Sequence, residues 1–108
     1  MKRGDIYLVP GGPKRGRMQQ GQQLVLILSP ARFNKATKLP VVLPITSGDE
    51  FTRRIGFAVP LLDTESSGVV RCDQPRVLDI LAREGRKVDA LPPGILDEVL
   101  ARVGTLFE

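Results

Sequence analysis

The sequence contains no histidine and no tryptophan, and its single cysteine is Cys72. Without histidine it cannot build a two-histidine acid/base nuclease, a Ser-His-Asp or Cys-His catalytic unit, or a zinc site with the usual His/Cys ligand count. One thiol excludes an intrachain disulfide, which agrees with a reducing compartment and a cytosolic location. Long apolar runs are missing too. No stretch approaches the ~18 residues a membrane span requires, and Met1-Lys2-Arg3-Gly4-Asp5 leads into strand-like sequence, not a secretory leader. Any chemistry must therefore come from Asp, Glu, Arg, Lys, Tyr, Ser or Thr, and no metal or other cofactor is expected.

The 108 residues suit one domain, 1–108, with an ordinary globular balance of 42% hydrophobic and 26% charged residues. The net charge of +4 is unevenly spread. Residues 1–54 hold ten Lys/Arg against three Asp/Glu, giving +7, whereas 55–108 hold six against nine, giving −3. Such asymmetry fits a polyanion or an acidic protein segment as partner, and equally a solvated surface that happens to be basic.

Eleven Gly and nine Pro punctuate the chain too often for a helical bundle and suit short strands joined by turns. Strands are expected over Asp5–Val9, Leu24–Leu28, Val41–Ile45, Gly56–Pro60, Gly68–Asp73 and Val77–Leu81. Leu24–Leu28 is uninterruptedly apolar, the pattern of a strand buried on both faces. Pro44 implies an edge or a bulge, because proline cannot donate to the ladder. Ala31–Lys38 reads as a connection with about one helical turn, and two polar loops, 14–21 and 46–54, flank the sheet. Pro92-Pro93 opens a helix that Gly104 stops, with Ile95, Leu96, Val99, Leu100 and Val103 on one stripe and Asp97, Glu98, Ala101 and Arg102 facing away. The fold expected is a small barrel, mainly β, with one closing helix.

Arg71 and Asp73 are alternate residues, so on a strand they share a face while Val70 and Cys72 point inward. A guanidinium beside a carboxylate can orient a hydroxyl and stabilise a phosphorane, a histidine-free way to cleave RNA through its own 2′-hydroxyl. The same spacing also describes an ordinary surface ion pair, and an aspartate needs burial or a like charge to serve as a base near neutrality. Cys72, with no activating partner, reads as packing. Phe57 suits either the core or a platform for a stacked base. Thr46-Ser47-Gly48 suits a turn or a phosphate contact. Asp49-Glu50 and Asp97-Glu98 lack further ligands at a telling distance and read as solvent-facing acids.

Taken together, Arg3-Gly4-Asp5-Ile6-Tyr7-Leu8-Val9, Gln19-Gln20-Gly21, Val25-Leu26-Ile27-Leu28-Ser29-Pro30, Phe33-Asn34, Leu43-Pro44-Ile45-Thr46-Ser47-Gly48, Gly56-Phe57-Ala58-Val59 and Gly68-Val69-Val70-Arg71-Cys72-Asp73-Gln74-Pro75-Arg76 resemble the MazF/PemK family of toxin endoribonucleases. The likeness is greatest to its plasmid-maintenance branch, Kid/PemK, and spans nearly the whole chain in order and spacing. It implies an SH3-like barrel with a C-terminal helix, forming a homodimer whose shared groove takes single-stranded RNA. It also implies metal-independent cleavage to a 2′,3′-cyclic phosphate and a 5′-hydroxyl, and inhibition by a cognate antitoxin with an acidic, disordered tail. Contact with DNA would be indirect, through the antitoxin complex.

By position, the resemblance makes Asp73 the general base and Arg71 the general acid or phosphate stabiliser, with Thr46, Ser47, Ile55, Phe57, Ser67 and Val69 lining the base-recognition surface. Two positions depart from the family pattern. Gln23-Leu24 stands where members usually have Arg-Pro, so Gln23 takes the place of a cation near the scissile phosphate. Arg17 stands where the branch often has histidine; it keeps positive charge but cannot act as a base. The alternatives are an attenuated relative that binds RNA or antitoxin, and a CcdB-like toxin acting on gyrase, for which Leu106-Phe107-Glu108 offers little surface.

Overall fold

The computed structural model describes residues 1–10, 22–47, 54, 56–61 and 66–108. Strand β1 (Asp5–Pro10) pairs with β2 (Gln22–Ile27), and β2 with β3 (Val41–Thr46). The far side of β3 pairs with β5 (Val69–Arg71), which also carries β4 (Ala58–Pro60). A two-residue β6 (Arg76–Val77) lies along the start of β3, and β7 (Arg86–Ala90) along the other side of β1. Every pair is antiparallel, in the order β4-β5-β3-β2-β1-β7 with β6 off this path. Two helices complete the described residues: α1 (Ala31–Thr37) and α2 (Pro93–Gly104), the latter running into a 3₁₀ turn at Thr105–Phe107. The mainly β body with a C-terminal helix is the architecture the sequence led us to expect.

The apolar run in β2 serves two cores. Leu26 and Leu28 join Ile6, Leu43, Ile45, Val70 and Cys72 on one face, while Val25 and Ile27 join Val9, Val42 and Ile80 on the other. Neither face can accept a polar residue, because each fully buried aliphatic side chain contributes roughly 1.5–3 kcal/mol by leaving water. Helix α2 closes the first core with Val99 and Val103, and Ile95, Leu96 and Leu100 pack at its margin. Pro93 occupies the first turn, where its missing N–H costs nothing.

Three local expectations are corrected and one element is new. Pro44 lies not on an edge strand or in a bulge but at a local gap inside the sheet. It sits within β3, opposite Val25, where the far side of β3 changes partner from β6, at Val41 and Val42, to β5, at Ile45 and Thr46. A residue without an N–H fits that interval because no strand pairs with it there. The strand expected over Val77–Leu81 is only β6, after which residues 80–84 turn so that Gly85 N–H reaches the Ile80 carbonyl at 2.9 Å. Strand β7 follows unforeseen. Its charged side chains hide the alternation, yet charge is what an edge strand tolerates, and Lys87 pairs with the buried Asp5 at 3.3 Å.

The connection after β2 forms two turns of helix, not one, around Asn34, which is only 3% exposed. Its amide donates to the carbonyls of Met1 (2.9 Å) and Ser29 (3.0 Å), its side-chain oxygen accepts from the Ser29 hydroxyl, and Ser29 Oγ accepts from the Val41 N–H (2.8 Å). Phe33-Asn34 thus marks a structural knot, fastening the N-terminus to the start of β3. A buried amide satisfied at both ends is held in one orientation.

Candidate active site

The candidate site grows from the β4–β5 hairpin. Strand β5 is held on one side by Val70 opposite Ile45 and Val69 opposite Thr46, and on the other by Arg71 opposite Ala58. One further ladder bond, from Cys72 N–H to the Phe57 carbonyl at 2.8 Å, carries the pairing past the end of the strand. Val70 and Cys72 are both fully buried in the first core. With those two side chains turned inward, Arg71 between them must emerge on the opposite face.

Asp73 reaches Arg71 by a turn, because β5 ends at Arg71 and residues 72 and 73 are no longer strand. The outcome is nevertheless the side-by-side pair. Arg71 Nε donates to Asp73 Oδ1 at 3.1 Å and Nη2 to Oδ2 at 3.0 Å, with the two side chains 16% and 25% exposed. This two-pronged geometry fixes the carboxylate plane against the guanidinium plane. A carboxylate offers about four acceptor positions, so each oxygen keeps a free direction for a hydroxyl beside the one the arginine uses.

The residue between the pair is inert. Burial pushes the Cys72 thiol up from 9.0 to about 11, with Arg102 pulling it down and Asp73 and Glu98 adding to the rise. The native thiol is therefore expected to resist a disulfide exchange reagent at pH 8 and to react promptly once the chain is unfolded. Fast labelling of the folded protein would contradict this packing. Because the unfolded chain ionises first, the stability this thiol contributes is intact below pH 9 and is lost as pH rises through about 11.

Of the candidate recognition residues, Thr46 and Val69 are register partners, and strand alternation places Arg71 on their face, with Gln23 across from Thr46 on the same side of β2. The Thr46 hydroxyl is buried and finds no hydrogen-bond partner among the described residues. Ser47 and Ser67 are exposed at the ends of their strands. Phe57 lies apart from this set: it is half-buried and packs on the first core, between Gly56 and Ala58. Gly68 brings β5 to β3 more closely than any other residue could, since a Cβ there would stand 2.5 Å from the Thr46 carbonyl oxygen. Arg17, Ile55, the Asp49-Glu50 doublet and most of both polar loops lie outside the described residues. No group of three or more Cys, Asp or Glu suited to a metal occurs among the described residues.

Two features escape sequence reasoning. Arg102, expected to face away, turns back: Nη1 donates to the Gly56 carbonyl and Nη2 to Glu98 Oε2 at 2.7 Å. The Glu98–Arg102 spacing of four residues is a readable helical pair, but its reach to a residue 46 positions earlier is not. Asp89 on β7 accepts from Ser66 N–H at 3.0 Å and Ser66 Oγ–H at 3.1 Å, a contact that only the closing of the sheet produces.

Comparison with known proteins extends over nearly the full length of the chain. Residues 2–107 match the family described as PemK-like, MazF-like toxin of type II toxin-antitoxin system. The chain is 50% identical to endoribonuclease PemK of Escherichia coli, over 99% of this chain and 82% of that protein. It is 37% identical to the endoribonuclease toxin ChpB of Escherichia coli K12, over 99% of this chain and 94% of that one. Among solved structures, the MazE-MazF complex (Form-III) of Deinococcus radiodurans superposes with a TM-score of 0.84 at 30% identity, covering 99% of this chain and 95% of that chain. The chain therefore belongs to the PemK-like, MazF-like toxins of type II toxin-antitoxin systems.

Proposed function

We propose that this chain is the toxin endoribonuclease of its system and cleaves single-stranded RNA without a metal, using the 2′-hydroxyl as nucleophile. The observation that carries this reading is the two-pronged Arg71–Asp73 pair, part-buried and rigidly presented beside Thr46 and Val69. Asp73 accepts the proton of the 2′-hydroxyl at a free acceptor position. The resulting oxygen attacks the adjacent phosphorus, and Arg71 neutralises the charge that gathers on the phosphoryl oxygens. The 5′-oxygen of the next nucleotide leaves and takes up a proton from Arg71, acting as general acid, or from a solvent water, giving a 2′,3′-cyclic phosphate and a 5′-hydroxyl. Relatives named endoribonuclease at 50% and 37% identity support the class of reaction, and an arginine already paired to the candidate base supplies the positive charge at the phosphoryl group.

Thr46, Ser47, Ile55, Ser67 and Val69 are assigned to base recognition, with Gln23 as a further RNA contact and Phe57 in reach only through its half-exposed edge, since it packs on the first core. Arg17 is assigned to the catalytic group as a cation acting with Arg71 and Asp73. The antitoxin reading rests on solved neighbours that are MazE-MazF complexes, and the excess positive charge of residues 1–54 suits an acidic antitoxin tail as it suits RNA. A homodimer in the cytoplasm, reaching DNA only through its antitoxin, completes the proposal. No helix among the described residues is long and apolar enough to cross a membrane.

The test is cleavage of an RNA containing every trinucleotide in the presence of EDTA. We expect cyclic-phosphate and 5′-hydroxyl ends, and no cut where the nucleotide 5′ to the scissile bond is 2′-deoxy. Products with 5′-phosphates, or cleavage of the deoxy-substituted site, would overturn the mechanism.

A further inference from the structure

We propose that Arg102 and Asp89 are positioning residues that fix the two ends of the β4–β5 hairpin separately, Arg102 aligning the end that bears the Arg71–Asp73 pair and Asp89 the end that bears Ser67. The inference rests on the endoribonuclease reading above.

The hairpin is paired along its length, from the bond between Cys72 N–H and the Phe57 carbonyl (2.8 Å) to that between Leu61 N–H and the Gly68 carbonyl (3.0 Å). At its first end, Gly56 has φ +86° and offers its carbonyl to Arg102, whose guanidinium is simultaneously held by Glu98 on the same helix. From that carbonyl one residue leads to Phe57, and the Phe57 carbonyl is hydrogen-bonded to Cys72, the residue between Arg71 and Asp73. A shift of Gly56 thus reaches the pair through planar peptide units and a hydrogen bond, with no flexible side chain in the path.

At the other end, Asp89 Oδ2 receives both the N–H and the hydroxyl of Ser66, while its Oδ1 accepts from the Ala90 N–H at 2.8 Å. Ser66 lies in the connection between β4 and β5, whereas β7 pairs with β1, so this carboxylate ties the hairpin's connection to a strand with which neither β4 nor β5 shares a ladder. It fixes the residue next to Ser67, two positions before Gly68 gives way to Val69. The two anchors come from different elements, β7 and α2, and each acts on a different part of the reaction. Loss of the Arg102 anchor misplaces the reacting groups, whereas loss of the Asp89 anchor misplaces the groups that read the base.

The experiment measures kcat, KM and the cleavage pattern on a mixed-sequence RNA for wild type, Arg102→Met, Arg102→Lys, Asp89→Ala and Asp89→Asn. Lys87→Met is the control, because it breaks an ion pair on the same strand, β7, that touches neither hairpin end. We expect Arg102→Met to lower kcat by about 10-fold or more with the preferred sequence intact, and Arg102→Lys to recover part of it. Asp89→Ala is expected to raise KM and broaden the cleaved sequences with kcat near wild type, and Asp89→Asn to do so less. Lys87→Met should match wild type. If wild type does not cleave RNA, the endoribonuclease reading fails and the inference with it. If wild type cleaves and the Arg102 and Asp89 variants share its kcat, KM and pattern, the inference alone is overturned. A uniform loss in all variants, Lys87→Met included, also overturns it, by showing only a weakened barrel. Should Arg102→Met or Asp89→Ala not fold, Arg102→Lys and Asp89→Asn decide between the same outcomes.

Discussion

Asp73→Asn is expected to lower RNA cleavage by about 10²–10⁴-fold, the usual loss when a positioned acid or base is removed. Asparagine keeps the shape of the side chain but replaces one carboxylate oxygen with an NH₂ group that faces Arg71 with hydrogens in place of lone pairs. One of the two bonds at 3.0 and 3.1 Å is lost, the charge proposed to accept the 2′-hydroxyl proton is gone, and the two-pronged hold between positions 71 and 73 is reduced to a single bond. The folded state should hardly notice. The pair is partly open to solvent, and ion pairs of that kind contribute about 1 kcal/mol or less. Cleavage and thermal melting of the same preparation check both halves. A variant that melts normally and still cleaves at the wild-type rate would remove Asp73 from the role of base.

The second large effect is on stability. Gly68 has φ +125°, a backbone conformation that side chains with a Cβ rarely adopt, and an added Cβ would lie 2.5 Å from the Thr46 carbonyl oxygen and 3.2 Å from Ile45 Cγ2. The obstacle is largely backbone, so it cannot rotate aside. Gly68→Ala should therefore cost about 2–5 kcal/mol from backbone strain and overpacking together, a large share of the ~5–15 kcal/mol that holds a domain of this size. A melting temperature lower by ~10 °C or more is expected. Separating β5 from β3 also displaces Arg71, so residual cleavage below the melting point should fall as well. A melting temperature within a degree or two of wild type would show that β5 gives way more easily than its packing implies.

What the sequence makes legible follows from periodicity. Leu24–Leu28 and the Ile95–Val103 stripe each carry a pattern strong enough to identify both the element and its buried side, and alternation alone places Arg71 opposite Val70 and Cys72. What stays hidden depends on contacts distant in the chain. Strand β7 carries Arg86, Lys87 and Asp89 in five residues, and nothing in that composition reveals that β1 will offer it an edge. Pro44 is legible as a residue unable to donate, but its place is not, because the break in β3's neighbours exists only once β5 and β6 have both docked. Arg102 lies on the polar side of a helical wheel, and a wheel does not show that Gly56 has left a carbonyl within its reach. Position 73 illustrates both cases: its spacing from Arg71 reveals the pairing, while the turn that delivers it reads as strand.

The placement of Cys72 has a consequence for how such a site can change over time. The residue separating Asp73, the proposed base, from Arg71 is a core residue, fully buried and bonded through its backbone to Phe57. Position 72 therefore cannot drift as a surface linker would. Every change in its volume must be absorbed by Val70, Val99 and their neighbours, or else passed to the angle between Arg71 and Asp73. Adaptation of the interior and adaptation of the chemistry are thereby bound into a single inheritance, and variation in substrate preference is left to the positions around the pair, where a side chain can be exchanged without repacking the barrel.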